Sequence, residues 1–305
     1  MKALIFGSKG LVGSSLVRNL PKSNKISKII PSTRSDTDLF SLDETRRIIK
    51  DSNPDYIVNA AAKVGGILAN NSFRTEFILE NLKINMNILE AIVDRPNIKL
   101  INLGSSCIYP LNAENPIKES SLMNGKLEPT NSPYAMAKLT AIEIGDALVK
   151  EHGHKIINIM PTNLYGPNDN FSDKSSHVIP GLIYRMHKAK IEKMDDFEVW
   201  GSGKPLREFL YVDDLANAIN FIIDNDIEEK ILNIGSGYEI SIKELAESIK
   251  EIIKYEGILV FNKELPDGNP RKLLDSSKIE KLGWASEIDL IKGLDLTYDW
   301  YKENL

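Results

Sequence analysis

The stretch MKALIFGSKGLVGSSL (1–16) decides the fold, because an apolar run leads through three glycines into an amphipathic segment. Gly7, Gly10 and Gly13 form G-x-x-G-x-x-G. Such glycines permit a tight turn and let a dinucleotide pyrophosphate approach the backbone at a helix N-terminus. A plain strand–turn–helix with chance glycines gives the same spacing. The position directly after the first predicted strand favours dinucleotide binding.

Short apolar runs alternate with amphipathic stretches along the first half of the chain. The patterns predict strands at 2–6, 26–30, 56–60, 99–103 and 155–160 and helices at 11–20, 43–51, 75–93 and 134–152. This alternation is typical of βαβ units and predicts an α/β fold with a Rossmann-type, doubly wound parallel sheet. Because the runs are apolar throughout, we expect helices on both faces of the sheet.

The alternation of apolar runs and amphipathic stretches becomes less regular in the second half of the chain. Residues 162–177 are rich in turn formers and predict a long loop, which is more often functional than idle. A helix is predicted at 178–190, followed by shorter strands and helices. We therefore expect a dinucleotide-binding domain at 1–161 and a smaller α/β lobe at 162–305 that mainly holds the substrate. Segments such as 231–235 are expected to return to the large sheet.

Composition limits the class of protein. The 305 residues are 42% hydrophobic and 27% charged, which is ordinary for a globular protein with a sizeable core. A net charge of −5 gives no general attraction to nucleic acid or anionic membrane, so neither is expected as a partner. The single cysteine excludes an internal disulfide and a cysteine-based zinc site and suits a reducing compartment. Without a signal-peptide pattern or a membrane span, we expect a cytoplasmic protein.

The segment PSTRSD (31–36) bears on the choice of dinucleotide. An NAD site places an acidic residue here for the ribose hydroxyls, whereas this chain has Arg34, and Lys9 lies in the glycine loop. Two cations near the adenosine ribose suit a 2′-phosphate, so NADP is preferred. Asp36 and Asp38 lie nearby and keep NAD open.

SPYAMAK (132–138) places Tyr134 and Lys138 four residues apart on one helical face. An ammonium near a phenol lowers the pKa of the phenol, so this tyrosine is suited to exchange a proton with a carbonyl oxygen at neutral pH. Ser105 follows the fourth predicted strand, where ligands bind in such sheets, and is suited to hold the same oxygen. Cys107, two residues later, is either a small core residue or a group placed for chemistry.

These residues resemble the extended short-chain dehydrogenase/reductase superfamily, and longer blocks are similar to its GDP-L-fucose synthase family. The blocks are NAAAKVGGILANN (59–71), LGSSCIYP (103–110), LEPTNSPYAMAK (127–138), MPTNLYGPNDNF (160–171), SHVIPGLI (176–183), VWGSGKPLREFLYVDDLA (199–216) and PDGNPRKLLD (266–275). They extend across nearly the whole chain, and KVGGI, SSCIYP and PDGNPRKLLD are the most specific.

The resemblance implies that GDP-4-keto-6-deoxy-D-mannose is epimerised at carbons 3 and 5 and reduced at carbon 4 with NADPH. By motif position, Cys107 is the base and His177 the acid of epimerisation. A thiol and an imidazole suit these tasks by pKa. Tyr134 then protonates the ketone oxygen, Lys138 lowers the pKa of that phenol and grips the ribose, and Ser105 positions the ketone. The serine and tyrosine are also suited to stabilise the enolate oxygen.

The family's binding residues carry over to matching motif positions, and no metal is expected among them. For NADP they are Gly7, Ser8, Lys9, Gly10, Leu11, Val12, Gly13, Arg34, Leu103, Gly104, Ser105, Ser106, Lys138, Pro161, Thr162, Asn163, Leu164 and His177. For the GDP-sugar they are Arg185, Trp200, Arg207, Asp267 and Lys272. Arginine forks suit a pyrophosphate. Asp213 and Asp214 are expected mainly to cap the helix that follows them.

The predicted helices 75–93 and 134–152 carry apolar residues on more than one face. Superfamily members usually pair these helices across a twofold axis, so a homodimer is expected, with a thick monomeric core as the alternative.

Other functions stay open: a 4-epimerase, 4,6-dehydratase or simple 4-reductase of another nucleotide sugar, or a non-catalytic NADP-sensing module. Cys107 with His177 argues against a simple reductase, and the intact serine, tyrosine and lysine argue against a sensor.

Overall fold

The computed structural model describes residues 1–173, 175–265 and 267–305, which contain twelve strands and ten α-helices. The strands are β1 Lys2–Phe6, β2 Lys28–Ser32, β3 Tyr56–Asn59, β4 Lys99–Leu103, β5 Lys155–Pro161, β6 Asn163–Tyr165, β7 Asp196–Trp200, β8 Leu206–Tyr211, β9 Ile231–Ile234, β10 Glu239–Ser241, β11 Ile258–Asn262 and β12 Arg271–Lys272. The helices are α1 Leu11–Asn19, α2 Leu42–Ser52, α3 Ile67–Ser72, α4 Arg74–Ala91, α5 Ser132–His152, α6 Val178–Ile191, α7 Val212–Asp224, α8 Ile242–Ile253, α9 Ser277–Leu282 and α10 Leu290–Glu303. Lys174 of the predicted loop and Pro266 of the block 266–275 lie outside the described residues.

Six strands form a parallel sheet in the order β2-β1-β3-β4-β5-β9. The predicted doubly wound parallel sheet is therefore confirmed, and β9 joins it from the second half of the chain. The strand order reverses beside β1, so the carboxyl ends of β1 and β3 border a crevice of the kind where such sheets bind ligands.

Helices cover both faces of this sheet because its strands carry apolar side chains on both sides. Successive residues of β1 point to opposite faces. Ile5 belongs to a core shared with Leu16 of α1 and Ile219 of α7. Leu4 belongs to a second core, shared with Ile88 of α4. The site at the sheet edge thus rests on a core filled on both sides.

A row of buried asparagines crosses the middle of the sheet. Asn59, Asn102 and Asn158 are register partners on β3, β4 and β5, so their side chains lie side by side. Asn59 Nδ2 donates to Asn102 Oδ1 at 3.1 Å and to Asn85 Oδ1 of α4 at 3.0 Å, and Asn102 Nδ2 donates to Asn158 Oδ1 at 3.2 Å. A one-residue slip would break every link, so this row fixes the strand register.

The second half builds a smaller lobe around β8. Strand β10 pairs with β8 antiparallel, β12 and β6 pair with it parallel, and β7 and β11 form a separate parallel pair. The predicted loop at 162–177 is not entirely a loop, because its first residues, Asn163–Tyr165, pair with β8 and satisfy their backbone there. None of the helices in the described parts of the chain is long and apolar enough to cross a membrane.

The expectation that Asp213 and Asp214 cap the following helix is wrong. Tyr211 holds the cap position of α7, and no side chain caps this end. Asp213 Oδ1 accepts hydrogen bonds from Ser15 Oγ at 2.5 Å and from Arg18 Nη2 at 3.0 Å. Asp214 accepts the backbone N–H groups of residues 287 and 288. The two carboxylates therefore fasten α7 to α1 and to the segment before α10.

We predict that Asn102→Ala lowers the free energy of unfolding by about 1–3 kcal/mol, because Asn59 and Asn158 each lose an amide partner in the core. Urea unfolding followed by circular dichroism measures this. Asn124→Ala, which removes an exposed amide, is the control and is expected to change stability by less than about 0.5 kcal/mol. Equal stability of Asn102→Ala and the wild type would contradict the role of the row.

Candidate active site

The glycine loop turns sharply after β1. Gly7 has a φ of +74°, and a Cβ there would lie 2.8 Å from the backbone nitrogen of Ala61. A Cβ on Gly13 would overlap the carbonyl oxygen of Gly7. Only glycine fits either position. At Gly10 a Cβ would make only an ordinary contact, and α1 begins there without a side-chain cap, as suits a helix N-terminus that receives a phosphate.

The segment after β2 presents cations at this edge. Arg34 is exposed, and its guanidinium lies 5.2 Å from the centre of the Phe40 ring. Asp36 accepts hydrogen bonds from the Thr33 hydroxyl at 2.6 Å and the Thr33 N–H at 2.8 Å. These bonds hold the pKa of the Asp36 carboxyl below its usual value, and the Lys9 ammonium adds to the effect. Asp36 is therefore engaged within its own turn.

Apart from Lys138 and His177, the predicted cofactor residues lie on segments that follow strands at the carboxyl edge of the parallel sheet. These segments are 7–13 after β1, Arg34 after β2, 103–106 after β4 and 161–164 after β5. Gly104 N–H donates to the carbonyl of Ile159 at 2.8 Å, and a Cβ on Gly104 would overlap the Met160 sulfur. The end of β4 is therefore held tightly against β5.

Ser105 and Tyr134 lie together beside the end of β4. Ser105 Oγ accepts the N–H of Cys107 at 3.2 Å and so begins the 3-10 turn Ser106–Ile108. The Tyr134 ring packs edge-on against Phe77, with 6.5 Å between ring centres. Burial raises the pKa of the Tyr134 phenol well above its usual value, charge on Cys107 adds to this, and the hydrogen bond with Ser105 opposes it.

Lys138 is buried, with only 2% of its surface exposed. Its Nζ donates to the carbonyl oxygen of Leu103 at 2.6 Å and lies 5.9 Å from the centre of the Tyr134 ring. Burial lowers the pKa of Lys138 to about 8. The expectation that this ammonium lowers the pKa of the phenol is not met in the structure, because burial of Tyr134 has the larger effect and raises that pKa.

Cys107 lies beside a lysine from a distant part of the chain. Lys272 Nζ donates to Cys107 Sγ at 3.3 Å. Burial raises the pKa of the Cys107 thiol, but the Lys272 ammonium and the Ser105 hydroxyl outweigh burial and hold the pKa below its usual value. Lys272, the residue that the resemblance assigns to the GDP-sugar, thus lies against this thiol.

His177 directly precedes α6, at the end of the loop after β6. Gly66 braces that loop, because its N–H donates to the carbonyl of Ser175 at 3.3 Å and a Cβ on Gly66 would lie 2.5 Å from the Ser176 oxygen. Burial raises the pKa of Asp169, and the nearby His177 charge opposes this. Within residues 1–173, 175–265 and 267–305, no hydrogen bond joins His177 to the other predicted catalytic residues.

The predicted substrate residues form two connected groups. The Arg185 guanidinium stacks on Trp200, 4.6 Å from the ring centre, and donates to the carbonyl of Glu198. Asp267 accepts the N–H of Ser202 at 2.6 Å and its hydroxyl at 2.7 Å, which lowers the pKa of the carboxyl. Arg207 Nη2 lies 3.4 Å from the Asp267 carbonyl oxygen. Asp267 thus fixes the loop that contains it against Ser202, two residues after Trp200.

Sequence reasoning missed Glu208, which lies on β8 with none of its surface exposed. Its carboxylate accepts the N–H groups of Gly237 at 2.8 Å and Leu274 at 3.1 Å, and burial raises its pKa. Thr162 Oγ1 and Asn163 Nδ2 both donate to the Glu208 carbonyl. The only signal was an acidic residue inside the apolar run REFLYV, and its partners lie too far along the chain for spacing to reveal them.

The comparisons with known proteins decide the family. The model of the NAD dependent epimerase/dehydratase family matches residues 3–235. The chain is 47% identical over 305 residues to the probable GDP-L-fucose synthase 1 of Oryza sativa subsp. japonica, covering 100% of this chain and 93% of that protein. The chain belongs to the GDP-L-fucose synthase family. The resemblance drawn from the motifs is thereby confirmed.

Solved structures of similar enzymes extend this result. A GDP-L-fucose synthetase from Naegleria fowleri bound to NADP is 30% identical, with a TM-score of 0.89 over 99% of this chain and 94% of that one. A GDP-6-OMe-4-keto-L-xylo-heptose reductase from C. jejuni is 33% identical, with a TM-score of 0.92 over 100% of this chain and 98% of that one. The GDP-L-fucose synthase family thus shares its fold with at least one GDP-sugar reductase.

We predict that the wild type gains stability over Lys138→Met as pH rises. The pKa of Lys138 is about 8 when folded and about 10.4 when unfolded, so between these values the unfolded chain binds more protons. The difference in free energy of unfolding should shift by about 2 kcal/mol in favour of the wild type between about pH 7 and pH 9.5. Urea titrations at several pH values measure it, with Lys50→Met as an exposed-lysine control. A difference independent of pH would contradict the buried ammonium.

Proposed function

We propose that this protein is a GDP-L-fucose synthase: it epimerises carbons 3 and 5 of GDP-4-keto-6-deoxy-D-mannose and reduces the 4-ketone with NADPH to give GDP-L-fucose. The observation that carries the proposal is the cluster of Ser105, Cys107 and Tyr134, in which the Ser105 hydroxyl lowers the pKa of both the Cys107 thiol and the buried Tyr134 phenol. A ketone that must lose a neighbouring proton and then accept a hydride requires these groups in one place.

The residues at the sheet edge fit NADPH. Gly7 and Gly13 let the loop pack against the protein's own backbone and turn tightly into α1, and the uncapped start of α1 suits the pyrophosphate. Lys9 and Arg34 suit a 2′-phosphate. We propose that residues 1–161 mainly bind this cofactor, with the predicted segments at 103–106 and 161–164, Lys138 and His177 completing its site, and that residues 162–305 mainly hold the GDP-sugar. NADPH, when bound, supplies the hydride for carbon 4.

Epimerisation is assigned to the thiol and the imidazole. Cys107 removes the proton from carbon 3 or carbon 5, which the adjacent ketone acidifies because the negative charge spreads onto oxygen. Ser105 and Tyr134 donate hydrogen bonds to that oxygen and stabilise the enolate. His177 returns a proton from the opposite face, which inverts the carbon. The lowered pKa of the Cys107 thiol favours the base form that this step needs.

Reduction is assigned to the phenol. Because burial raises the pKa of Tyr134, the phenol keeps its proton at neutral pH and gives it up only to a stronger base. The oxygen on carbon 4 becomes such a base as the hydride arrives. Ser105 holds this oxygen, and Lys138, fixed to the Leu103 carbonyl, sets a positive charge behind the phenol. We propose that this charge grips the ribose of the cofactor.

Placed cations are proposed to bind the GDP group. Arg185 and Arg207 are partly buried arginines whose pKa values desolvation lowers, so an anionic ligand would relieve the cost of their charge. Trp200, stacked on Arg185, offers a flat contact for the nucleotide. Asp267 is proposed to face the base or sugar, and Lys272 the sugar or its phosphates.

We propose that the protein is a cytoplasmic homodimer formed through α4 and α5. These helices pack against each other and leave Leu79 and Met86 of α4 and Met136 and Val149 of α5 exposed. Leu79 and Met86 are seven residues apart and lie on one face. An exposed apolar face on two paired helices supports a second copy as its cover. The single cysteine suits the reducing cytoplasm.

A second candidate is a GDP-sugar 4-reductase without epimerase activity, which the similarity to the C. jejuni reductase supports. Such an enzyme would reduce its ketone without proton exchange at the neighbouring carbons. Solvent deuterium entry therefore separates the two functions.

We predict that the purified protein oxidises NADPH in the presence of GDP-4-keto-6-deoxy-D-mannose, followed by absorbance at about 340 nm, and that NADH supports a lower rate. In deuterated water the product should carry deuterium at carbons 3 and 5, measured by mass spectrometry. Absence of oxidation with fresh substrate and either cofactor would refute the proposed function. Oxidation without deuterium entry would favour the simple reductase.

Cys107→Ser should reduce deuterium entry by at least about a hundredfold, because a hydroxyl is a much weaker base than a thiolate. Tyr134→Phe is the matched variant, since it keeps the thiol but loses the proton donor, and should lower NADPH oxidation more than exchange. NADPH binding, measured by calorimetry, should survive Cys107→Ser. Normal exchange by that variant would remove the cysteine from the mechanism.

The double change Leu79→Glu and Met86→Glu should convert the dimer to a monomer in sedimentation velocity, because carboxylates would be buried against an apolar partner. We expect the dissociation constant to rise at least about a hundredfold. Ile191→Glu, at an exposed apolar position on α6, is the control. A wild type that sediments as a monomer, or a double variant that stays dimeric, would rule out this interface.

A further inference from the structure

The contact between Lys272 and Cys107 joins residues 165 positions apart. The Lys272 ammonium donates to the sulfur at 3.3 Å, which is hydrogen-bond distance for a thiol or thiolate acceptor. The contact brings β12 from the C-terminal lobe against the 3-10 turn that follows β4. Because the chain contains no other cysteine, this ammonium faces its single thiol.

The backbone on either side holds Lys272 in place. Lys272 is the register partner of Arg207 in the parallel pair β12–β8. The next two N–H groups are also bound, that of Leu273 by Asn115 Oδ1 at 2.8 Å and that of Leu274 by the buried Glu208 carboxylate at 3.1 Å. A surface lysine usually samples many rotamers, but here the strand directs the side chain toward the sulfur.

The charged and ionisable groups that act on Cys107 come from four elements. They are Lys272 of β12, Arg207 of β8, Tyr134 of α5 and Glu128 of the segment before α5. Glu128 opposes the thiolate, but its carboxylate already accepts hydrogen bonds from Thr130 and Asn131. The two cations lie on adjacent strands, so the balance of charge around the sulfur favours an anion.

We propose that Lys272 is a positioning residue that pairs with Cys107 Sγ as a thiolate and so prepares it to take a carbon-bound proton. This rests on the proposed function. The thiol proton passes to solvent when the ion pair forms, and the thiolate later accepts the sugar's proton and becomes a neutral thiol. Lys272 remains an ammonium throughout, so charge and protons balance. The main role of Lys272 is then to stabilise the thiolate of Cys107, the protein's own base, rather than to bind the substrate phosphates.

Alkylation of the single cysteine by iodoacetamide tests this without substrate. The rate, followed by intact mass across pH, reports the thiolate. The midpoint of the wild type should lie below about 8.5, the ordinary value for a free thiol. In Lys272→Met the midpoint should rise by at least about one pH unit, which slows alkylation near neutral pH about tenfold. Lys272→Arg, which keeps the charge, should stay within about threefold of the wild type.

Lys281→Met, which removes an exposed lysine of α9, is the control and should follow the wild-type profile. Coincident midpoints for Lys272→Met and the wild type would overturn the proposal. If circular dichroism shows that Lys272→Met does not fold, the wild type in buffer is compared with the wild type in concentrated urea. A folded midpoint no lower than the unfolded one would then overturn it.

Deuterium exchange separates this role from simple substrate binding. If Lys272 positions the thiolate, exchange at carbons 3 and 5 by Lys272→Met falls about tenfold near neutral pH and recovers above the raised thiol midpoint. If it only binds phosphates, the variant raises KM and high pH restores nothing, which would overturn the proposal. No exchange even by the wild type would refute the proposed function, while the alkylation profiles would still decide the ion pair.

Discussion

The parallel pairing of β4 between β3 and β5 is the constraint on which the site depends. Parallel strands deliver their carboxyl ends to one edge, so Ser105 and Cys107 emerge at the same edge as the glycine loop that follows β1. The buried asparagines on β3, β4 and β5 hold this register, and a slip of one residue would turn the side chains of Ser105 and Cys107 to the other face. The sheet therefore fixes where chemistry can occur before any functional side chain is considered.

Two buried ionisable groups then attach the rest of the molecule to that edge. Lys138 donates to the Leu103 carbonyl and ties α5, with Tyr134, to the end of β4. Glu208 accepts hydrogen bonds from the N–H groups of Gly237 and Leu274. These bonds hold together the segments of the C-terminal lobe that carry Arg207 and Lys272. A buried charge without partners is costly, so breaking the hydrogen bonds of Lys138 or Glu208 would cost a large amount of free energy. The same groups that carry or support chemistry thus also determine the architecture.

Local charge at the site opposes the charge of the whole protein. The chain is net acidic, yet Lys272, Arg207 and Arg185 converge on the lobe that is proposed to hold the GDP-sugar. Desolvation lowers the pKa of both arginines, so their charge is held at a cost that an anionic ligand or a thiolate relieves. Burial acts in the opposite sense on Tyr134, where it preserves a proton for transfer. In the proposed mechanism, Lys272 offsets the effect of burial on the Cys107 base, whereas burial keeps the Tyr134 acid protonated.

The sequence by itself determined the alternation of strands and helices, the glycine turn and the family. Apolar periodicity, the glycines that permit a positive φ, and local motifs can all be read from residues that are close together in the sequence. It also singled out Ser105, Cys107, Tyr134 and Lys138. Only the tertiary structure decided that Lys272 contacts the thiol, that Glu208 joins three segments and that Asp213 binds α1 instead of capping α7. It likewise reversed the expected direction of the Tyr134 pKa. Burial and contacts between residues that are distant along the chain depend on packing, and the spacing of residues in the sequence does not reveal them.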